Sequence, residues 1–412
     1  MLDDTFLPEL VKNRRRKERT LTLLSLFITL AAFAISGNAV APLVSSLSRS
    51  IGMPASSFGW LFTLQYVSFA VAAFLGGATK ERMRLSNSHL VSVGLLVISV
   101  VLFLGAVVLR STAALVLWVI PLGLAGGAVE TFSSVEISHL GRASSSKNLC
   151  LSQVFYTIGA FAAPQIVYII FGAGLDWRSA FVIFGLFTTA VFSLFLLFSF
   201  RRGAYKKHAE APVRDGPYSR ARNAVFFLLV LLMLSNVLLE SFSALWLSYI
   251  FELRYALTAR DASLVLVLFW AGMMAGRLLI LLLPARWTLW PALVLSTVAL
   301  LAAAGCLAAA ESLRAHYVFV ALLGVFLGPL WPVIVMTSSA AFPSERSTST
   351  LIGIGAVGYA CGPLLGSLVL GLHWTAHIFL VHLALAALIV LFCLTSWRTH
   401  ARVTAAINRG TQ

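Results

Sequence analysis

Twelve long apolar stretches recur along this chain, and no other feature constrains its fold so tightly. A helix needs about 20 such residues to cross about 30 Å of hydrocarbon. The runs fall at 20–46, 56–78, 87–109, 113–138, 147–171, 178–200, 223–251, 261–283, 286–309, 313–341, 347–371 and 374–396. Of 412 residues, 59% are hydrophobic and 11% charged. That is too little charge to cover a soluble surface. The expected fold class is therefore all-α integral membrane, with twelve transmembrane helices in two six-helix bundles.

Connections between runs are short, except at 201–222, RRGAYKKHAEAPVRDGPYSRAR, which is long, basic and proline-containing. It reads as a cytoplasmic linker between a bundle at 20–200 and a second at 223–396. A segment 1–19 precedes the first bundle and a tail 397–412 follows the second, both expected in the cytoplasm. The first run follows Lys12, Arg14, Arg15, Arg16, Lys17 and Arg19. It is too long for the core of a signal peptide and reads as a permanent span.

The net charge of +15 raises the question of a nucleic-acid partner. Its placement excludes one, because the basic residues sit between apolar runs and form no continuous basic surface. With both termini inside, 23 of the 30 Lys and Arg lie on the inner side and 6 outside, with Arg277 left within a span. That is the positive-inside pattern of a multi-pass protein of the cell membrane. The compact loops suit a bacterial inner membrane, and a monomer is expected. Cys150, Cys306, Cys361 and Cys393 all fall in apolar stretches at spacings that suit neither a zinc site nor a disulfide framework. They read as small core hydrophobes.

A repeat relates the halves. The fifth run carries Gly159-Ala-Phe-Ala-Ala163-Pro164 and the eleventh Gly358-Tyr-Ala-Cys-Gly362-Pro363. Small residues at i and i+4 let helices approach closely, and proline bends a helix. Such glycines and prolines suit two bundles that rock about a central site.

Several segments resemble the major facilitator superfamily, and within it the fucose–proton symporter branch. These are GLAGGAVETFSSVE in the fourth run, NLCLSQVFYTIGAFAAP in the fifth, FWAGMMAGRLL in the eighth and GPLWPVIV in the tenth. The resemblance implies the major facilitator fold, a proton role for Glu130 and a sugar contact for Gln153. It also implies an aspartate four residues before Pro42, where this chain has Asn38. DWRSAF before the sixth run is widespread in the superfamily. GGATKERMR after the second is a degraded form of its Gly-x-x-x-Asp-Arg signature, with Glu81-Arg82 in place of Asp-Arg.

A carboxylate inside a span costs several kcal/mol unless it faces a cavity or a partner. A carboxyl withdrawn from water favours its protonated form, which suits a group that takes and releases a proton in each cycle. Three carboxylates sit well inside runs: Glu130, Glu136 and Glu240. Glu130 follows Gly126-Gly127 and has Thr131, Ser133 and Ser134 beside it; counting along the helix puts it in the cytoplasmic half. Glu240 shares a helical face with Asn236 and Ser243. It reads either as a second proton-coupling group facing Glu130 or as an interhelical hydrogen-bond partner. Glu136 reads as an interfacial or gating residue, and Arg277, after Gly272 and Gly276, as part of a cytoplasmic gate or structural ion pair. Candidates to frame a polar solute are Asn38, Gln65, Tyr66, Gln153, Asn236, Trp246, Tyr249, Trp270, Trp331 and Tyr359. His373 and His377 have the i,i+4 spacing of metal ligands, but no acidic or cysteine partner is near, so no metal is expected.

Together these features point to a secondary transporter importing a small polar solute, a sugar by resemblance, with a proton or a sodium ion. A proton-driven exporter of amphipathic compounds fits the same carboxylate and the aromatic residues. A non-transporting sensor on a transporter scaffold is the alternative of another class. No H-E-x-x-H, G-x-S-x-G or P-loop pattern occurs, so neither an enzyme, a cofactor nor an intrinsic ATPase is expected.

Overall fold

The computed structural model describes residues 9–140, 145–200, 220–282, 289–342, 345–372 and 377–410. The expectations for Lys and Arg at 201–219, for Arg286, for His373 and for the side chain of Glu81 fall outside what is described. Among the described residues there is no strand. The helices are α1 (Glu9–Gly37), α2 (Val44–Ile51), α3 (Phe58–Met83), α4 (Asn87–Val108), α5 (Thr112–Leu140), α6 (Ser145–Gly172) and α7 (Arg178–Phe200) in the first half. In the second they are α8 (Arg220–Tyr255), α9 (Ala259–Leu282), α10 (Leu289–Ala309), α11 (Leu313–Leu327), α12 (Leu330–Ala341), α13 (Glu345–Gly371) and α14 (Ile378–Gly410).

Among the described residues, twelve helical stretches are long and apolar enough to cross a membrane. α1 with α2, and α11 with α12, each make one span, broken by local chemistry. In the first, Gly37 ends α1 and Pro42, which has no N–H to donate, holds a short 3-10 turn at Ala41–Leu43. In the tenth, Gly328-Pro329 separates the two helices. An even number of crossings puts the free ends of α1 and α14 on one side, called here the terminal side; the opposite face is the loop side. α1 starts at Glu9 and α14 continues to Gly410, so helix runs through the expected boundaries at 20 and 396.

The helices also satisfy their own polar side chains. Thr29, Ser99, Thr188 and Ser243 each donate to the carbonyl one turn earlier, at 2.8–2.9 Å. Where a helix starts at the membrane edge, serine caps it: Ser86 accepts from the His89 N–H and Ser312 from the Ala315 N–H.

Packing is the same in each half. α1 lies on α6 as α8 lies on α13, α3 on α5 as α9 on α11, and α4 on α7 as α10 on α14. Glycine permits the closest of these crossings. A side chain at Gly123 or Gly127 of α5 would strike the backbone of Gln65 or Phe69 in α3. At the equivalent crossing, Gly272 and Gly276 lie on the backbone of Ala321 and Val325, and Gly324 and Gly328 on that of Phe269 and Met273. The repeated segments behave alike too: Gly159 lies on the Ala31 carbonyl, and Gly358 and Gly362 on those of Leu234 and Leu238. Cys306 departs from the sequence reading. It is exposed on the outer surface of α10 instead of packed in a core, whereas Cys150 and Cys393 are buried. Hydrophobic residues of a span face lipid as readily as they face protein, so hydropathy alone does not tell the two apart.

Gly276→Ala should therefore force α9 and α11 apart and lower the melting temperature of the purified protein, by about 1–3 kcal/mol of overpacking. Gly305→Ala is the control, because its added methyl would meet only Leu383 at 3.9 Å. An equal response of the two variants would show that the crossing tolerates a side chain.

Candidate functional site

The two halves touch at both ends and in the middle. On the loop side the Ser45 hydroxyl donates to Glu252 Oε1 at 3.0 Å, and the Arg260 guanidinium lies 4.6 Å from the Tyr168 ring centroid. In the middle, Thr63 donates to the Ala360 carbonyl at 2.8 Å and the rings of Tyr66 and Tyr359 stack with centroids 5.2 Å apart. On the terminal side Cys150 Sγ lies 3.3 Å from Met336 Sδ. A cavity lined by Asn38, Phe62, Tyr66, Ser241, Leu245 and Pro363, among others, offers about 10 Å³, room for about one water molecule.

Arg277 is the hub of the terminal-side contact, and proline chemistry explains why. Pro332 has no N–H, so the Gly328 carbonyl one turn earlier in the tenth span has no helical donor. Arg277 Nε supplies one at 3.2 Å. Its Nη1 reaches into the other half, donating to the Gln153 carbonyl at 2.8 Å and to the Thr157 hydroxyl. Thr157 in turn donates to that same Gln153 carbonyl at 2.6 Å. Nη2 faces Glu240 Oε1 at 3.7 Å, an ion pair whose partners are 2% and 1% exposed. The Tyr359 hydroxyl approaches the same carboxylate oxygen at 3.5 Å, and the Tyr156 ring lies 6.0 Å from the guanidinium.

Glu130, half-buried on α5, lies within electrostatic reach of both Glu240 and Arg277. Of the two carboxylates expected from sequence, Glu240 pairs with the arginine expected at a gate, and Glu130 feels the charge of both. The arginine's long side chain carries the charge from near the end of α9 to a carboxylate on the middle of α8. The cluster holds two carboxylates and one guanidinium, fed from α5, α8 and α9.

The other candidates divide. Tyr66, Tyr359 and Asn38 stand at the centre, with Asn38 donating its amide to the Ala34 carbonyl of its own helix at 2.9 Å. Gln65 is buried with Oε1 unpartnered, and Asn236, one turn from Glu240, is fully buried with both amide atoms unpartnered. Gln153 meets Arg277 through its backbone carbonyl. Trp270 packs edge-on to Tyr156 at 6.4 Å. Trp246 is fully buried within the second half, its indole N–H donating to the Pro363 carbonyl at 3.0 Å beside Gly366. Tyr249 lies beside it at 6.2 Å, and Trp331 is buried in α12. Pro164 is buried inside α6. Glu136 accepts from Asn87 Nδ2 at 3.2 Å, tying α5 to α4. Tyr156 and Thr157 were not singled out in the sequence. Their one legible signal is helical spacing, three and four residues after Gln153.

No group of three metal-ligating side chains occurs among the described residues. Comparison with curated protein sequences gives no match. Among solved structures, the human organic anion transporter MFSD10 (TETRAN) superposes with a TM-score of 0.68 at 18% identity, covering 94% of this chain and 100% of that one. A bacterial homologue of the human lysosomal transporter Spinster, inward-facing and unoccupied, gives 0.67 at 13% identity, covering 93% and 98%. At such identities these likenesses establish the fold. The sequence pattern of one family covers residues 26–350, and by it this chain belongs to the Major Facilitator Superfamily, a membrane transporter and not an enzyme.

Proposed function

We propose that this protein is a proton-coupled secondary transporter in which the Glu130–Glu240–Arg277 cluster carries the proton between the two sides. One observation carries the reading: Arg277 is ion-paired with Glu240 in a region where ions are costly, and a second carboxylate, Glu130, lies within electrostatic reach of both without pairing with either. With Arg277 matched to Glu240, one negative charge is left over, and a single proton neutralises it. Glu130 is the group that takes it.

The same cluster provides the coupling. Arg277 belongs to the second half but holds the first through Thr157 and the Gln153 carbonyl. A change in charge at Glu130 or Glu240 alters the pull on that guanidinium, and so biases the terminal-side contact toward closed or open. Tyr66 and Tyr359, stacked across the halves, sit between the cluster and the small central cavity. We read them as part of the solute site, with Asn38 and Asn236.

Solute class divides into the two transport readings of the sequence. The sugar reading is supported by the resemblance around Glu130 and Gln153. Exchange of an amphipathic compound for protons is supported by the surplus carboxylate and the aromatic side chains around it. In both, we read the termini and the linker at 201–222 as cytoplasmic, a reading that the excess of Lys and Arg on that side supports.

For protein reconstituted in vesicles and given a solute chosen by a thermal-shift screen of sugars and organic cations, Glu130→Gln should abolish flux driven by a pH gradient. It should preserve solute exchange without a gradient. Gradient-driven flux at the wild-type rate would remove Glu130 from the coupling role. The ion pair makes a separate prediction about stability. Arg277→Gln leaves Glu240 buried without its counter-charge, at a cost of about 3–5 kcal/mol. Glu240→Gln with Arg277→Gln should recover part of that loss in melting temperature; equal melting of single and double variants would show that the pair is not coupled.

A further inference from the structure

We propose that the terminal-side rim binds anionic phospholipid headgroups, through Arg398 and Arg402 of α14 and through Arg16, Lys17 and Arg19 of α1. The inference needs only the membrane-spanning fold and is independent of the proton-coupling reading.

α14 carries the clearer case, because its two faces separate residue by residue. His382, Ala386, Ile389, Cys393 and Ser396 recur every three or four residues and are fully buried. His400 continues that line and stacks on Trp290 of α10, with ring centroids 5.2 Å apart. The opposite line, Ala384, Leu388, Leu391, Thr395, Arg398 and Arg402, is exposed at every position. Packing of His400 therefore turns both arginines outward. At the rise of an α-helix, Arg398 stands about 10 Å beyond Leu391. The face that meets lipid tails at Leu388 and Leu391 meets headgroups at the arginines. Trp397, 41% exposed beside Arg398, marks the boundary, since an indole favours the zone where apolar and polar surroundings meet.

α1 repeats the pattern in the other half. Leu21 and Leu24 are exposed, and Lys17 lies four and seven residues before them, on the same face. Arg16 and Arg19 are exposed on either side of it.

Charge selects the headgroup. No Asp or Glu stands three or four residues from any of these five cations, so none has a carboxylate neighbour along its own helix. Glu18, the carboxylate in this stretch of α1, has that spacing to Arg14 and Arg15 instead. Arg398 and Arg402, one turn apart, repel each other until an anion comes between them. A lipid phosphate at that depth satisfies both, and the guanidinium fork fits its oxygens. A zwitterionic headgroup brings its own ammonium beside the phosphate and gains less. The loop-side rim differs, because Arg178 there is already ion-paired with Asp176.

The purified full-length protein can be titrated in non-ionic detergent with phosphatidylglycerol or phosphatidylcholine of the same acyl chains, and bound lipids counted by native mass spectrometry. Phosphatidylglycerol should bind more tightly. Each Lys or Arg near an anionic surface strengthens binding about fivefold, so Arg398→Gln with Arg402→Gln should weaken one phosphatidylglycerol site by about tenfold or more. Arg16→Gln with Lys17→Gln and Arg19→Gln should weaken a second site. Arg398→Lys with Arg402→Lys should keep most of the binding, and Arg178→Gln should bind as wild type. Should a variant fail to fold, ionic strength supplies the test on the wild type, since salt screens exposed charges and should release the lipid. Equal binding of the two lipids, undiminished phosphatidylglycerol binding in either of the glutamine variants, insensitivity of the wild type to salt, or an equal loss in Arg178→Gln would each overturn the proposal. Displacement by inorganic phosphate at matched concentration would make free phosphate the ligand, and the lipid assignment would fail.

Discussion

Water cannot reach the middle of a bilayer to satisfy a polar group, so every break in a helix there needs a partner from the protein. The tenth span shows how this requirement builds the site. Pro332 leaves the Gly328 carbonyl without a donor, and the donor that fills the gap is Arg277. A guanidinium brought in for that purpose has further N–H groups, and these find a carbonyl and a hydroxyl in the other half and a carboxylate in its own. The ion pair, the contact between halves and the helix break are three aspects of one arrangement.

Glycine sets the second condition. Helices that cross backbone against backbone, as α5 does on α3 and α9 on α11, leave no room for side chains between them. Such crossings make each half a stiff body. The halves meet through side chains, Ser45 on Glu252, Tyr66 on Tyr359 and Cys150 on Met336, and also backbone to backbone, where Gly59 of α3 lies on the Pro363 carbonyl of α13.

Hydropathy made the twelve spans legible, because a run of about 20 apolar residues has few other uses. The cost of a buried charge pointed in the same way to Glu130, Glu240 and Arg277. What the sequence does not reveal is which faces turn toward which. Counting along α9 puts Arg277 near a membrane edge, whereas its side chain reaches a carboxylate in the middle of α8. Trp246 and Tyr359 look alike as aromatics beside polar residues, yet one is locked to a carbonyl of its own half and the other stacks across the seam. Tyr156 carried no signal beyond its spacing from Gln153. Rotation of a helix about its axis comes from tertiary packing, and in a span apolar on every side no periodicity records it.

The smallness of the cavity between the halves has a further meaning for a membrane that stores energy as a proton gradient. The cavity beside Asn38, Tyr66 and Pro363 admits about one water molecule. A single water cannot form a hydrogen-bonded chain from one surface to the other, so this cavity alone offers protons no wire along which to hop. Close packing at a seam that must part for cargo also withholds a path from small ions until it parts.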